Sequence, residues 1–402
     1  MENKKFIGFA ATEGNPLYEK LTARLSELYT SPKEIRSPFA RDYTRILHCT
    51  AYRRLKHKTQ VFYNIESDHV CTRMEHVSHV ASVSNTIAKY LGLNDELTDA
   101  IACGHDLGHA PFGHQGEEII NGLCENHLGS SFWHEKNGLY ITDNVELLPD
   151  HYGNYVNLDL TYAVRDGIVA HCGESDVCNL FPRKEFIDLN DFEKGTSPVT
   201  FEGCVVKISD KIAYVGRDIE DAITLGFLTE KDVKDLSAIV RPKDGTMVNT
   251  GSIMSDMITD ICMESNPEKG IGLSEKSAEI LKKIKDFNYK RIYGNERFDT
   301  FKKYSELVIT ELFYALFGCY NGGDVFAGLA AKKDRYPLLI TEFTGYISKY
   351  VNNAGGGFEK YKNKKIYENI SDEKVFIKAA LDYVAGMTDR FAVDTFNELI
   401  TY

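Results

Sequence analysis

The segment HDLGHAPFGHQGEE, residues 105–118, contains three histidines, one aspartate and two glutamates between glycines and a proline. Adjacent residues on a helix point about 100° apart, so His105 and Asp106 can face one partner only where a helix ends. Gly108 and Pro111 follow directly and predict such an end. Imidazole and carboxylate together suit a divalent cation, although an isolated His-Asp pair is more often a capped helix terminus.

Two residues outside this segment are typical of the same kind of site. His76 continues the apolar face of a predicted helix over 72–91, where a histidine needs a buried partner. Asp210 lies within a strongly apolar predicted helix over 203–224, and an unpartnered buried carboxylate costs several kcal/mol. Taken alone, His76 is better explained as a hydrogen-bonded core histidine. Taken together, the economical solution is one divalent metal ion shared with the His-Asp pair.

The second half of the opening segment starts another predicted helix. Glu117 follows His114 at i+3, so the carboxylate can orient the imidazole for proton transfer. Acidic residues at a helix start also interact favourably with the helix dipole, which gives Glu117 a purely structural interpretation. From the residues alone, the two interpretations are equally supported.

Charge and composition narrow the function classes. The formal net charge is −12, with 43% hydrophobic and 26% charged residues, as in an ordinary globular protein. General nucleic-acid binding needs a basic surface and is therefore not favoured. A local exception is the basic segment from Lys33 to Lys58, with eight Lys/Arg against two acidic residues. It is either a solvated face or a binding surface for a small polyanion such as a nucleotide.

Histidine and cysteine are distributed in informative ways. All twelve histidines lie between His48 and His171, which places the expected chemistry in that part of the chain. The nine cysteines include no Cys-x-x-Cys pair and suit reduced thiols, so no thiolate zinc site is expected. No apolar run reaches the roughly 18 residues of a membrane span, and the first residues lack a secretory signal. We therefore expect a cytoplasmic protein without a membrane partner.

Helical periodicity dominates the chain, and extended structure is expected only near KTQVFYN (58–64) and SPVTF (197–201). The predicted fold is mainly α, a helical bundle with few short strands. We expect a single domain over 1–402, with a metal-site core over 33–230 and a helical C-terminal part over 231–402 that completes the substrate pocket. The predicted helices cover residues 72–91, 95–107, 203–224, 228–240, 273–287, 302–317 and 374–400.

The order His…His-Asp…Asp across predicted helices resembles the HD superfamily of metal-dependent phosphohydrolases. The chain is more narrowly similar to the bacterial deoxyguanosine triphosphate triphosphohydrolases. The motifs that carry this resemblance are RSPFARDYTRILHCTAYRRLKHKTQVF (36–62), TRMEH (72–76), HDLGHAPFGHQGEE (105–118), FWHE (132–135), NLDLTYAVRDGIVAH (157–171), KISDKIAYVGRDIEDAI (207–223) and DYVAGMTDRFA (382–392). The resemblance implies an HD-domain helical bundle with additional C-terminal helices. It also implies hydrolysis of a deoxynucleoside triphosphate (dNTP) to deoxynucleoside and inorganic triphosphate.

The resemblance further implies a role for each candidate site residue. One divalent metal ion is expected to be held by four ligands: His76, His105, Asp106 and Asp210. Proton transfer or phosphate contact is expected of four residues: His109, His114, Glu117 and His134. Substrate binding is expected of six more: Gln60, Arg73, Lys211, Tyr214, Asp218 and Tyr383. For Tyr383, a core aromatic position is favoured over stacking on the sugar or base.

Several departures from the family pattern leave substrate preference open. Glu75 and His79 stand where members often have threonine and glutamate, and Arg217 replaces a common histidine. The sequence KNGL (136–139) replaces QSLR. Because His79 follows His76 at i+3, it is a competing candidate ligand, but we expect it to support the ligands and not to bind the metal itself. The base preference and the native metal are not fixed by these residues.

Three alternative functions predict different products or require different residues. Another HD phosphohydrolase, such as a nucleotidase or a phosphodiesterase, would release monophosphates. A non-catalytic nucleotide sensor would not need the proton-transfer pair, and single-stranded nucleic-acid binding would use the basic segment against the overall acidity. The resemblance also implies a homo-oligomer, typically a tetramer or hexamer, and leaves an activating nucleotide open.

Overall fold

The computed structural model describes residues 4–28, 30–63, 69–172, 179–240, 250–352 and 357–401. The α-helices within these ranges are α1 (Tyr18–Thr22), α2 (Pro38–His48), α3 (Thr50–Arg54), α4 (Arg73–Leu91), α5 (Asp95–Gly104), α6 (Gly113–Leu128), α7 (His134–Tyr140), α8 (Tyr162–Ala170), α9 (Phe201–Thr224), α10 (Glu230–Val240), α11 (Thr250–Glu264), α12 (Glu275–Asn288), α13 (Arg297–Phe317), α14 (Val325–Ala330), α15 (Pro337–Ile347), α16 (Glu373–Ala385) and α17 (Asp389–Ile400). The fold is therefore mainly α, as predicted. None of the helices in the described ranges combines the length and apolar character that a membrane span requires.

Extended structure within the described residues is limited to two small antiparallel pairs. The strands are β1 (Leu147–Pro149) paired with β2 (Tyr155–Asn157), and β3 (Asn179–Leu180) paired with β4 (Ile271–Gly272). The described part of KTQVFYN contributes only a bridge between Thr59 and Thr72. SPVTF leads directly into α9, because the side chain of Thr200 accepts a hydrogen bond from the backbone N–H of Gly203. Neither SPVTF nor residues 58–63, the described part of KTQVFYN, form the predicted strand.

Local capping interactions set the ends of the helices that carry the candidate site. At the start of α4, the backbone N–H of Thr72 donates to Oε2 of Glu75 at 2.6 Å. The same helix ends at Gly92, whose φ of 82° lies in the left-handed region. The side chain of Asn94 then accepts from the backbone N–H of Leu97 and starts α5. Glu75, which departs from the family pattern, thus has a helix-capping contact.

Among the described residues, buried apolar side chains form three large groups and one small group. The first lies between α2, α4, α5, α8 and α9 and includes Ile46, Val80, Ile101 and Ile168. The second joins α4 and α9 to α10, α11 and α12. The third joins α6 to α13, α15, α16 and α17. Because α4 and α9 contribute to two groups each, they are held from several sides where they carry candidate ligands.

Three helix predictions needed correction, the first of which is the helix predicted over 302–317, because α13 begins earlier, at Arg297. The helix predicted over 374–400 is divided: α16 ends at Ala385, and Thr388 caps α17 by accepting from the backbone N–H of Phe391 at 3.1 Å. Hydrophobic periodicity continues through this break, so the pattern did not reveal it. The helix predicted over 95–107 ends earlier, at Gly104, which places the His-Asp pair just beyond the helix.

Candidate metal centre and acid–base residues

Three of the four predicted metal ligands meet between α4, α5 and α9. Nε2 of His76 lies 3.0 Å from Oδ1 of Asp210, and Nε2 of His105 lies 3.9 Å from the same oxygen. All three side chains are buried. Their ligand atoms lie within 4.8 Å of one another, a spacing that one divalent cation can span.

The backbone orients His105 as a ligand. Its Nδ1 lies 2.6 Å from the carbonyl oxygen of Ala102 and must donate to it, because a carbonyl can only accept. In the neutral imidazole, the form that binds a metal, Nε2 is then the unprotonated nitrogen, and it is buried without a hydrogen-bond partner in the described part of the chain. Metal-bound histidines commonly have such a second hydrogen bond, which fixes their tautomer. This unpartnered buried nitrogen fits a cation.

Asp106 lies beside the three ligands and is also held by two other side chains. Its Oδ1 is 3.6 Å from Nε2 of His105, and its Oδ2 is 3.9 Å from Nε2 of His76. Arg73 donates from Nη1 to Oδ2 at 2.8 Å, and Nε2 of His109 lies 3.0 Å from Oδ1. Two imidazoles and two carboxylates fit several divalent metals, so the donor set does not fix which one.

Neighbouring charges keep both carboxylates ionised. Burial alone would raise the pKa of Asp210, but its hydrogen bond to His76 and the charges of nearby imidazoles lower that pKa to about 2. Burial also opposes ionisation of Asp106, yet Arg73 and two imidazoles hold its pKa well below the usual value. For His76, the two carboxylates overcome burial and raise the pKa. A cation and a proton therefore compete for His76.

The turn between α5 and α6 is tightly packed. A Cβ at Gly108 would lie 2.0 Å from the carbonyl oxygen of His134, so only glycine allows α7 to approach this closely. Phe112 and Gly113 have φ angles of 64° and 60°, and these consecutive left-handed residues reverse the chain. His114 follows at the start of α6 and lines the same cavity as Asp106.

The four predicted acid–base or phosphate-contacting residues form one cluster. Oε2 of Glu117 accepts from Nδ1 of His134 at 2.8 Å and lies 3.4 Å from Nδ1 of His114. The ring of His109 stacks on that of His134, with centroids 3.9 Å apart. The His114 side chain is 72% exposed, whereas those of His134 and His109 are 6% and 2% exposed. His114 is thus the imidazole of the cluster most accessible to a ligand.

Electrostatics separate the charged from the neutral members of this cluster. Burial would raise the pKa of Glu117, but hydrogen bonds from His114 and His134 lower it below its usual value. Burial would lower the pKa of His134, but its contacts with Cys172 and Glu117 raise it well above the usual value. Burial, with Arg73 nearby, lowers the pKa of His109 far below its usual value. A neutral imidazole therefore stacks on a charged one.

A cavity of about 890 Å³ joins three of the candidate metal ligands, His76, Asp106 and Asp210, to the acid–base cluster. Five of the six predicted substrate-binding residues line it: Gln60, Arg73, Lys211, Tyr214 and Asp218. The C-terminal part contributes another wall, formed by Tyr289, Tyr293, Phe298, Phe301 and Lys302. The cavity is therefore built from both parts of the chain.

Tyr383, the sixth predicted substrate contact, lies elsewhere. It is not among the residues that line the cavity. Its ring packs 5.2 Å from that of Phe343 and 5.3 Å from that of Tyr346, and its buried hydroxyl lacks a hydrogen-bond partner among the described residues. The structure places Tyr383 in the aromatic core between α15 and α16, because its helix face packs there.

Tyr293 is a cavity residue that the sequence did not reveal. It ends a short π-helical turn, Tyr289–Tyr293, and its hydroxyl contacts Oδ2 of Asp218. Burial raises the pKa of Asp218 to about 7, although Tyr293 acts in the opposite direction. No local motif marks this tyrosine, and only the packing of α12 against α9 brings it to the aspartate.

His79 and Arg217, which depart from the family pattern, and the basic segment from Lys33 to Lys58 lie outside the ligand cluster. His79 does not join the ligand cluster, and Arg217 pairs with Glu220 at 3.0 Å on the same helix. No Lys or Arg between 33 and 58 lines the cavity. Arg45 donates to the carbonyl of Leu158 at 2.6 Å, and the other internal pairs are Arg54 with Glu146, and Lys58 with the carbonyl of His109. At least part of this segment is structural.

Comparison with known proteins agrees with this geometry. The HD domain family model matches residues 73–215, a range that contains all candidate ligands and the acid–base cluster. A deoxyguanosinetriphosphate triphosphohydrolase-like protein of Caldanaerobacter subterraneus subsp. tengcongensis is 33% identical over 91% of this chain and 86% of its own length. The chain belongs to this family. A deoxyguanosinetriphosphate triphosphohydrolase-like protein of Clostridium tetani is 32% identical over 91% of this chain and 86% of its own length. The protein of the same name from Geobacter metallireducens is 30% identical over 99% of this chain and 96% of its own length.

Membership in the deoxyguanosinetriphosphate triphosphohydrolase-like family confirms the resemblance seen in the motifs. The HD domain and the names of the relatives support a phosphohydrolase. HD domains are typically metal-dependent, and the His/Asp cluster between α4, α5 and α9 has the donors that such a metal requires.

Proposed function

We propose that this chain hydrolyses dNTPs to deoxynucleoside and inorganic triphosphate with one divalent metal ion. The proposed ligands of that ion are His76, His105, Asp106 and Asp210. The observation that carries the proposal is the buried, unpartnered Nε2 of His105 in a cluster of carboxylates, within reach of a cavity that also contains a proton-transfer pair. A purely structural cation site would not need that pair.

The chemistry that a divalent ion supplies at such a site is a water of lowered pKa and compensation of phosphoryl charge. Arg73 lines the cavity and can neutralise a phosphate while it orients Asp106. Lys211 and Tyr214 line the cavity from α9 and supply a cation and a hydroxyl for further phosphate oxygens. These groups would position the α-phosphorus for attack by water.

Proton transfer to the leaving group is assigned to His114. When the bond between the α-phosphorus and the 5′-oxygen breaks, that oxygen needs a proton to leave as the deoxynucleoside. His114 is accessible from the cavity, and Glu117 can hold its imidazole through Nδ1. Because Glu117 also binds buried His134, the carboxylate is fixed before substrate arrives.

Asp218 and Gln60 are the proposed contacts of the deoxyribose 3′-hydroxyl. Oδ1 of Asp218 and Oε1 of Gln60 are buried and lack partners among the described residues, and both residues line the cavity. An unpaired buried acceptor is costly, and a sugar hydroxyl would satisfy it. Aromatic side chains of the C-terminal wall would pack against the nucleoside.

Product analysis tests the proposal. Purified protein is incubated with each dNTP and Mn²⁺ or Mg²⁺, alone and in mixtures, and the products are separated by anion-exchange chromatography. We expect deoxynucleoside and triphosphate, abolished by chelation, by His105→Ala and by Asp210→Ala. Mixtures that accelerate turnover would identify an activating nucleotide.

The control is His151→Ala, which removes an exposed histidine outside the cavity and should leave turnover unchanged. Monophosphate or diphosphate products would replace the proposal with another HD phosphohydrolase reaction. Metal binding without turnover of any dNTP would contradict the catalytic proposal and favour a nucleotide sensor.

A further inference from the structure

A second group of metal-binding side chains lies in the cavity wall beside the proposed metal ligands. His134 begins α7, and His171 and Cys172 directly follow α8. Their ligand atoms lie within 4.8 Å of one another, and all three residues line the cavity. None of them belongs to the His/Asp cluster described for the HD site.

His171 is prepared for ligation in the same way as His105. Its Nδ1 donates to the carbonyl of Ile168 at 2.7 Å, which leaves Nε2 unprotonated. The side chain is buried, and Nε2 has no hydrogen-bond partner in the described residues. An unpaired buried nitrogen of this kind points to a missing partner.

His134 and Cys172 already have a spacing suited to zinc. Nδ1 of His134 is committed to Glu117, while Nε2 lies 3.7 Å from Sγ of Cys172. With usual zinc–nitrogen and zinc–sulfur bonds, two such atoms at tetrahedral positions lie roughly 3.6 Å apart. Little rearrangement is therefore needed to admit the ion.

The backbone that carries these ligands is fixed by Lys207. Its ammonium donates to the carbonyl of Ala170 at 2.9 Å and also to that of Cys172. The charged neighbours include Lys207 itself and the buried carboxylates of Glu135 and Asp210. The acidic groups offset the lysine, so the local charge does not exclude a cation.

We propose that His134, His171 and Cys172 form a second, inhibitory site for a soft divalent cation such as Zn²⁺, separate from the HD site. Binding displaces two protons to solvent, the thiol proton of Cys172 and the Nε2 proton of the charged His134 imidazole. A sulfur–metal bond and a nitrogen–metal bond form in their place, with no redox step. Occupancy takes Nε2 of His134 and restrains the cluster around Glu117. The absence of a Cys-x-x-Cys pair does not bear on this site, because it uses one cysteine and two histidines. The inhibition rests on the proposed function, whereas the binding does not.

Cobalt is the probe for binding, because a Co²⁺–thiolate bond gives a near-ultraviolet charge-transfer absorption that imidazole and carboxylate ligands do not give. Metal-free protein is titrated with Co²⁺ under reducing conditions. We expect the band in the wild type and in His105→Ala, and its loss in Cys172→Ser. Cys262→Ser, a buried cysteine outside the cavity, should retain the band.

His171→Gln provides a second test, with thermal unfolding to confirm that each variant is folded. It should weaken Co²⁺ binding at this site at least tenfold. A wild type without the band, or a band that persists in Cys172→Ser, would overturn the site.

Inhibition is measured as dNTP turnover with Mn²⁺ while Zn²⁺ is added. We expect Cys172→Ser to require at least tenfold more Zn²⁺ for half inhibition than the wild type or Cys262→Ser. Equal sensitivity would overturn the inhibitory role. If no dNTP is turned over, the proposed function fails, but the cobalt band still decides whether the site exists.

Discussion

Glu117 connects two imidazoles, one buried and one exposed, through a single carboxylate oxygen. If it positions the proton donor, Glu117→Gln should lower kcat by about 10²–10⁴-fold with a smaller effect on KM. The acid limb of the pH–rate profile should also change, which simple loss of folding would not produce. Steady-state kinetics from pH 5 to 9 measures both effects. Glu125→Gln, an exposed glutamate on the same helix, should behave as wild type, and an unchanged kcat in Glu117→Gln would exclude the role.

Asp218 makes folding stability depend on pH in the direction opposite to Asp106 and Asp210, whose pKa values are lowered. Its pKa of about 7 lies above the ordinary 3.8, so the folded state binds this proton more tightly than the unfolded state. The resulting stability is fully present below about pH 4 and is lost as pH rises through 7. Between these values, the unfolding free energy of wild type minus that of Asp218→Asn should fall by up to about 4 kcal/mol.

Urea denaturation of the metal-free protein at several pH values between 4 and 8 measures this difference. The exposed Asp235→Asn variant provides the control and should follow the wild type. A difference between wild type and Asp218→Asn that does not vary with pH would contradict the raised pKa.

The sequence identified the site residues whose side chains are costly to bury without a partner. It did not identify residues that reach the site only through tertiary packing. Histidine and aspartate on apolar helix faces are costly to bury, so they predicted a shared site, and the structure brings them together. Tyr293 carries no such signal, since a tyrosine is common in any core. For Tyr383, the core position favoured from the sequence is the one observed, but its packing partners on α15 are not encoded in the motif that contains it.

At the scale of one element, α6 offers a matched pair of glycines. A Cβ at Gly116 would lie 1.8 Å from the carbonyl oxygen of Pro111, whereas one at Gly122 would meet nothing within 4 Å. Gly116→Ala should destabilise the protein by roughly 1–3 kcal/mol and lower turnover, because the turn that carries His109 must shift. Gly122→Ala should stabilise it by up to about 1 kcal/mol with unchanged turnover. Chemical denaturation of both variants measures the difference, and equal stabilities would refute the close approach.

The helices α4, α5, α9, α10, α12 and α13 were predicted because their apolar faces repeat and their caps are local, whereas α2, α8, α11 and α15 were not predicted. α4 and α9 agree with the prediction within about two residues, a usual error for boundaries. The break before α17 was missed, since Gly386, Met387 and Thr388 interrupt the helix without interrupting its apolar pattern. The β3–β4 pair depends on a contact between segments that are distant in sequence. β1 and β2 are close in sequence, but all four strands are only two or three residues long and are too short to show an alternating pattern.

At the scale of the whole molecule, the HD turn and the C-terminal helices share one core. Phe112 and Ile120 pack with side chains of α13, α16 and α17 in the same buried group. The sequence predicted a single domain made of a metal-site part and a C-terminal part. The shared core is consistent with one cooperative unit. The C-terminal part therefore supports the site mechanically as well as lining its cavity.

Asp389, at the start of α17, makes the most direct connection. Its Oδ1 accepts from the backbone N–H of Phe112 at 2.9 Å, and its Oδ2 accepts from that of Thr59 at 2.8 Å. An asparagine at position 389 has one side-chain oxygen and one NH₂ group. The oxygen can accept from only one of the two backbone N–H groups, and the NH₂ group faces the other, which loses its hydrogen-bond partner. We expect Asp389→Asn to lower the unfolding free energy by about 1–3 kcal/mol. Because Phe112 has a positive φ, the turn should also relax and reduce turnover.

Two probes measure the change in unfolding free energy of Asp389→Asn during denaturation. They are circular dichroism and the fluorescence of the single tryptophan, Trp133. The first reports all helices, and the second reports the start of α7 beside the acid–base cluster. Both transitions should move together in Asp389→Asn, since the shared core couples the two parts. Asp394→Asn, an exposed position on the same helix, should leave both unchanged. Separate transitions, or a shift in the fluorescence alone, would mean that the C-terminal helices fold independently of the site that they enclose.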